Sequence, residues 1–100
     1  MHVISRSALT AYAAKNAQAA QELDGWYYDL KAARWQNINE LKQKFPSADL
    51  IAGNRFIFNV KGNHYRILAI VQFQTQRVYI RGIFTHAEYS KLSKKELLTL

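Results

Sequence analysis

Two spacings of apolar residues divide this chain into an earlier and a later part. In the earlier part the apolar side chains recur every three or four positions, as Leu23, Trp26 and Leu30 do, and this is the period of an amphipathic helix. From Leu50 onward apolar and polar residues alternate, as in the run R-F-I-F-N-V at 55–60, which is typical of a half-buried β-strand. The pattern therefore predicts helices first and a sheet second.

Short local signals mark the ends of these elements. The run H-V-I at 2–4 is β-prone and predicts an N-terminal strand. Serine, threonine and asparagine side chains can accept hydrogen bonds from the free N–H groups of a first helical turn. The expected helix caps are Ser5 or Ser7, Asn16, Asn37 or Asn39, Thr85 and Ser93. The third helix must end near Phe45, because the residue before Pro46 is pushed out of the helical region.

A first hairpin is predicted around Gly62-Asn63, because a glycine at the first turn position suits a two-residue type II′ turn. The strand pairs that this turn sets are Val60 with Tyr65, Phe58 with Ile67, Phe56 with Ala69, Asn59 with Arg66, and Lys61 with His64.

A second hairpin is predicted with Thr75-Gln76 as its two-residue turn, although no glycine supports that position. The pairs it sets are Phe73 with Val78, Val71 with Ile80, Ile67 with Phe84, Arg66 with Thr85, and Ile70 with Arg81.

Together the two registers give the sheet an apolar face and a polar face. The apolar face is expected to pack against the N-terminal helices, and the polar face to meet water. The polar face holds no acidic residue, although solvated faces usually mix both signs of charge. Its members are Asn59, Lys61, His64, Arg66, Gln72, Tyr79, Arg81 and Thr85.

Composition adds bounds on size, location and partners. With 100 residues, 49% of them hydrophobic, we expect one domain over residues 1–100. The absence of cysteine excludes disulfides and thiolate metal sites. Without an export signal or an apolar membrane span, a soluble cytoplasmic protein with no membrane partner is expected. The net charge is +7, and residues 54–100 carry eight basic and two acidic side chains, which favours a polyanionic partner.

The basic part of the chain contains the groups needed for phosphodiester chemistry without a metal. Gly-rich phosphate loops, G-x-S-x-G and H-E-x-x-H are absent, and the histidines lack ligand spacing, so no metal or other cofactor is expected. Cleavage of RNA by its own 2′-hydroxyl needs a cation at the phosphate and groups that transfer protons. The candidate cations are Arg66, Arg81 and Lys61, and the candidates for proton transfer are His64, His86, Glu88 and Tyr89.

Three motifs resemble the HigB family of toxins, within the RelE/ParE superfamily. They are F-N-V-K-G-N-H-Y-R-I from Phe58, V-Y-I-R from Val78 and T-H-A-E-Y from Thr85. The opening H-V-I-S and the F-P at 45–46 also fit, so the resemblance spans nearly the whole chain. One departure is Ser90, where the family motif often continues with aspartate.

The resemblance implies an α+β, RelE-like domain. Its N-terminal strand and two or three helices would pack on an antiparallel-dominated sheet, followed by a short C-terminal helix. It also implies a ribosome-dependent mRNA endonuclease of a type II toxin-antitoxin system, which works in the cytoplasm without a metal or cofactor. The implied partners are mRNA on the ribosome and a HigA-type helix-turn-helix antitoxin.

The resemblance and the charge pattern together nominate two groups of site residues. The catalytic candidates are Arg66, Arg81, His86 and Tyr89, and the RNA-binding candidates are Lys61, Asn63, His64 and Tyr79. For the two arginines, an alternative role is to hold carboxylates of the antitoxin. Tyr79 and Tyr89 either stack on bases or pack against the sheet.

Two other functions agree with the same residues. One is a toxin of this fold that acts on DNA gyrase without cleaving RNA. The other is a basic module that binds RNA or the ribosome without catalysis.

Overall fold

The computed structural model, which describes residues 1–60, 62 and 64–100, contains one five-stranded sheet with helices packed on it. The strand order is β1-β5-β4-β3-β2, with β1 parallel to β5 and the other neighbours antiparallel. The strands are β1 (His2–Ile4), β2 (Asp49–Ala52), β3 (Arg55–Val60), β4 (Tyr65–Gln72) and β5 (Arg77–Thr85). The helices are α1 (Arg6–Lys15), a 3₁₀ turn (Ala17–Ala19), α2 (Ala20–Ala32), α3 (Ile38–Lys44), α4 (His86–Ser90) and α5 (Lys94–Thr99). The predicted α+β class with an antiparallel-dominated sheet is confirmed.

Most of the helix caps are at the predicted residues. The side chains of Ser5, Asn37, Thr85 and Ser93 each accept a hydrogen bond from a first-turn N–H. Asn16 interrupts the helices as expected, but its side chain does not cap the next one; its amide donates to the carbonyl of Tyr12 at 3.2 Å instead. In the described part of the chain, no helix has the length and apolar character needed to cross a membrane.

The larger core lies between the helices and one face of the sheet. Phe58 of β3 is fully buried at its centre, and its ring meets Trp26 of α2 and Phe45 edge-on, with centroids 5.4 and 5.3 Å apart. Leu23 and Leu30 bury the same face of α2, as the period of three and four predicts. The apolar face of the sheet therefore packs where the sequence places it.

The first hairpin has the predicted register. β3 and β4 pair Phe56 with Ala69, Phe58 with Ile67, Asn59 with Arg66, and Val60 with Tyr65. Gly62 has a φ of 63°, which glycine adopts without steric cost. The predicted turn position Asn63 and the Lys61–His64 pair fall on residues 61 and 63, which lie outside the described part of the chain.

The predicted second hairpin is wrong in its turn and its register. The loop between β4 and β5 has four residues, 73–76, instead of two, and Val71 therefore pairs with Val78 and not with Ile80. A longer loop moves the pairing by two positions at this end of the hairpin. Because side chains alternate with a period of two, Val78 and Ile80 still face the larger core.

Tertiary contacts that hydrophobic periodicity does not reveal hold this loop. Gln76 has a φ of 55°, and its side-chain amide donates to the carbonyls of Trp35 at 2.6 Å and Phe73 at 2.7 Å. Phe73, predicted to pair within the sheet, lies in the loop and packs edge-on against Phe56 at a centroid distance of 6.2 Å. The loop thus contributes an aromatic side chain to the core.

A β-bulge in β5 changes the register a second time. Leu68 pairs with Gly82 whereas Ala69 pairs with Ile80, so Arg81 is an extra residue without a partner on β4. After the bulge, each side chain of β5 therefore lies on the face of the sheet opposite to the predicted one. The observed pairs are Ile67 with Ile83, Arg66 with Phe84, and Tyr65 with Thr85, and Ile70 pairs with Tyr79 and not with Arg81.

The second face of the sheet is not the open polar surface that the sequence predicts. The C-terminal helix α5 covers part of it, and Leu97 forms a second apolar cluster with Ile57 and Leu68. The run R-I-L-A-I-V in β4 is apolar at almost every position, which is typical of a strand buried on both faces. Ile51, Phe84, Tyr89, Leu92 and Leu100 pack around this cluster.

Position 82, next to the bulge, has no room for a side chain, because the ring of Phe84 from the second apolar cluster lies against it. A Cβ added at position 82 would stand 2.5 Å from the ring of Phe84, closer than any stable contact. We expect Gly82→Ala to displace that ring and lower the free energy of unfolding by about 1–3 kcal/mol, the usual cost of overpacking. Chemical denaturation would measure the loss, with Gly25→Ala as control because nothing lies within 4 Å of its added Cβ. An unchanged Gly82→Ala variant would contradict this account of the bulge.

Candidate active site

The candidate site is built around a buried arginine on β4. Only 8% of Arg66 is exposed, and it lies on the second face of the sheet opposite Phe84. Its Nη1 donates to the carbonyl of Tyr65 at 3.3 Å, and its Nη2 lies 3.0 Å from Nδ1 of His86. Its guanidinium carbon lies 5.5 Å from the ring centroid of Tyr89, within cation–π range. Three contacts therefore fix the plane of this cation.

His86 reaches Arg66 because α4 begins immediately after β5. Thr85 and Glu88 form the predicted capping box, in which the Thr85 hydroxyl accepts from the Glu88 N–H and the Glu88 carboxylate accepts from the Thr85 N–H. The backbone N–H of His86 donates to the carbonyl of His64 at 2.9 Å and ties α4 to the residue just before β4. The exposed imidazole is therefore positioned by backbone contacts on both sides.

The Arg66 contact also fixes the tautomer of His86. A guanidinium can only donate, so Nδ1 of His86 accepts, and the proton of the neutral ring is on Nε2. In this arrangement Nε2–H can donate to an incoming oxygen. Nδ1 can take a proton only after the Arg66 bond breaks.

Tyr89 lies one helical turn after His86, and its ring is the third contact of the guanidinium described above. Its half-buried ring belongs to the second apolar cluster together with Phe84. Ser90 donates its hydroxyl hydrogen to the carbonyl of His86 at 2.8 Å. It therefore braces the backbone of α4.

The remaining predicted site residues are distributed along the sheet. Arg81 lies three residues before the Phe84 that pairs with Arg66, or about 10 Å along a strand, and lines a groove beside α1. Tyr79 lies further down β5, opposite Ile70. His64 is exposed next to the site, where it lines a shallow cavity with Gln18, Tyr65 and Thr85. Lys61 and Asn63 lie outside the described residues.

The structure thus brings three predicted residues into contact, namely Arg66, His86 and Tyr89, and leaves Arg81 and Tyr79 apart from them. The sequence reasoning did not identify Phe84 as a site residue, because it placed this ring on the core face. An isolated glycine inside a strand pattern often marks a bulge, so Gly82 was the available signal. Within the described residues, no three His, Asp or Glu side chains are grouped closely enough to share a metal ion.

The family model and the similar proteins found for this chain all carry the same family description. The HigB_toxin family model, described as the RelE-like toxic component of a toxin-antitoxin system, matches residues 19–92. The mRNA interferase toxin HigB of Escherichia coli strain K12 is 36% identical over 91 residues, which cover 89% of this chain and 88% of the relative. The mRNA interferase HigB of Shigella flexneri matches to the same extent. That of Escherichia coli O6:H1 is 29% identical over 96 residues, covering 94% and 93% of the two chains.

These matches confirm the resemblance carried by the three sequence motifs. The family model includes α2, α3, the four strands β2 to β5 and α4, and it therefore contains Arg66, His86 and Tyr89. The chain belongs to the HigB family of RelE-like toxic components of toxin-antitoxin systems.

Proposed function

We propose that this protein is a ribosome-dependent mRNA endonuclease, the toxin of a type II toxin-antitoxin system, and that it acts in the cytoplasm. Relatives that align over most of the chain carry the name mRNA interferase. The observation that carries the proposal is the contact between buried Arg66, exposed His86 and the ring of Tyr89. A fixed cation beside a titratable ring is suited to phosphodiester cleavage.

In the proposed reaction the substrate RNA supplies its own nucleophile. The 2′-oxygen bonds to phosphorus, the bond from phosphorus to the 5′-oxygen breaks, and the proton lost from the 2′-hydroxyl is balanced by one gained by the 5′-oxygen. The products are a 2′,3′-cyclic phosphate and a 5′-hydroxyl. This route needs charge stabilisation at the phosphate and proton transfer, and it does not require a metal or another cofactor.

Each residue of the site has a proposed role. Arg66 stabilises the negative charge that builds up on the phosphate oxygens, because its orientation is set before the substrate arrives. His86 donates from Nε2–H to the reacting phosphate or to the leaving oxygen. Tyr89 holds the guanidinium by its ring and offers its hydroxyl as a further hydrogen-bond donor.

The path of the RNA beyond the reacting phosphate is also part of the proposal. His64, at the edge of the site, contacts a neighbouring phosphate, and Lys61 and Asn63 are proposed to continue this contact. Tyr79 offers a ring for base stacking lower on β5. Arg81 is proposed either as a further phosphate contact or as a contact to the antitoxin. The antitoxin is proposed to be of the HigA type, with a helix-turn-helix domain.

Mapping of RNA 5′ ends after controlled expression tests the proposal. We expect new 5′-hydroxyl ends inside translated frames, and few in a matched reporter message whose start codon has been removed. Cuts in both reporters would contradict ribosome dependence, and 5′-phosphate ends would contradict attack by the 2′-hydroxyl. Growth arrest with intact messages would reject nuclease activity; accompanying DNA damage would then indicate a gyrase poison, and its absence a binding module.

A further inference from the structure

A groove of about 370 Å³ runs between α1 and the bulged part of β5. One wall is a face of α1 with small residues, and the other is the outer edge of β5. The lining residues are Ala8, Ala11, Tyr12 and Lys15 of α1 and Ile80, Arg81, Gly82 and Ile83 of β5. The groove is separate from the Arg66 site, which lies on the second face of the sheet.

The strand wall of this groove is an open sheet edge. β1 pairs with β5 only as far as Tyr79, because β1 ends at Ile4 and α1 begins two residues later. The backbone N–H of Thr85 bonds to the Glu88 side chain and so points away from β4. Because backbone N–H groups alternate in direction along a strand, the N–H of Ile83, two residues earlier, also points away from β4. Within the described residues, 80–84 make no backbone bond outside the sheet ladders. Such an edge is a template for another strand.

The charges at the groove favour an acidic occupant. Lys15 and Arg81 are exposed on opposite walls, and neither has a carboxylate partner in the described part of the chain. Burial, and after it the charge of Glu88, raises the pKa of the Tyr12 phenol, so Glu88 is close to the Tyr12 side of the groove. That carboxylate is held by the capping box, whereas the side chains of Lys15 and Arg81 are exposed. An extended chain with carboxylates near its middle therefore complements the groove.

We propose that an extended acidic segment of the antitoxin binds in this groove and adds as a strand to the outer edge of β5. Backbone hydrogen bonds to Ile83 would give the affinity, and Lys15 and Arg81 would select acidic side chains. The bound antitoxin segment would continue the line of β1, along the part of β5 after Tyr79 that β1 does not pair with. The inference rests on membership of a toxin family that has an antitoxin, and not on RNA cleavage.

Blocking the groove tests the proposal in the full-length protein with the purified co-encoded antitoxin as the probe. Ala11 is exposed on the groove face of α1, and Ala14 is exposed on the same helix outside the groove. We expect Ala11→Trp to weaken antitoxin binding by about tenfold or more and Ala14→Trp to leave it within about twofold. Equal affinities for the two variants would overturn the proposal, provided that circular dichroism shows both folded.

Two further measurements separate a strand from other occupants. Hydrogen exchange at the Ile83 amide should slow when the antitoxin binds, and unchanged exchange would exclude strand addition at this edge. Lys15→Glu should weaken antitoxin binding in low salt. If it slows mRNA cleavage and leaves antitoxin affinity unchanged, the groove serves RNA and the proposal fails. Because antitoxin binding and hydrogen exchange are measured without RNA, failure of the proposed nuclease activity would leave those two measurements unaffected.

Discussion

Arg66→Met is expected to reduce mRNA cleavage by about 10²–10³-fold, the usual effect of removing one preorganised donor from a developing negative charge. Methionine is suited to this test because it has a similar length and can fill the buried space. Replacing a buried charge by an apolar side chain is often nearly neutral for folding, and the lost bond to the Tyr65 carbonyl costs about 1 kcal/mol. The variant should therefore fold and bind the antitoxin but cleave poorly.

The matched control is Arg77→Met at the other end of the same sheet. Arg77 is exposed, opposite Gln72, so its replacement removes one positive charge without touching the site. Cleavage rates on programmed ribosomes and thermal unfolding would be measured for both variants. Equal loss of cleavage in the two would mean that net charge, and not the placement of Arg66, sustains the reaction. Full activity of Arg66→Met would remove Arg66 from the proposed mechanism.

The sequence predicted those parts of the fold that depend on local spacing. The caps at Ser5, Asn37 and Thr85 follow from side-chain chemistry within one turn, and the first hairpin follows from a short turn between alternating runs. The second hairpin did not follow, because its loop is held by a Gln76 contact to the carbonyl of Trp35, 41 positions away. Tertiary contacts of this kind leave no periodic trace in the sequence.

For the candidate site, prediction was limited by the bulge. Arg66, His86 and Tyr89 were identified from charge and motif, and two of them lie on α4, whose start the capping box fixes. The assumed continuous register placed Arg81 near them, on one polar face. An unpaired residue at position 81 reverses the faces beyond it, so that Phe84 meets Arg66 while Arg81 lines the α1 groove. A single extra residue therefore separates the two arginines.

The exchange of His86 for asparagine or glutamine tests whether the imidazole itself meets the RNA. Asparagine places its amide oxygen near the position of Nδ1, so His86→Asn keeps an acceptor for Arg66 but lacks the Nε2–H donor. We expect this variant to lose about 10²-fold in cleavage rate, in the range of lost general acid–base catalysis, with ribosome binding unchanged. Single-turnover cleavage and ribosome co-sedimentation would measure the two quantities separately.

His86→Gln does the reverse, because it keeps the hydrogen-bond donor of the imidazole and loses the acceptor. Its longer amide reaches toward the Nε2 position and offers a donor there, but the acceptor for Nη2 of Arg66 is lost. If His86 acts only by positioning Arg66, asparagine should restore cleavage and glutamine should not. If Nε2–H contacts the RNA, asparagine must fail, whatever it does for Arg66. Near-normal cleavage by His86→Asn would thus reduce His86 to a positioning residue and leave proton transfer to Tyr89 or to the ribosome-bound substrate.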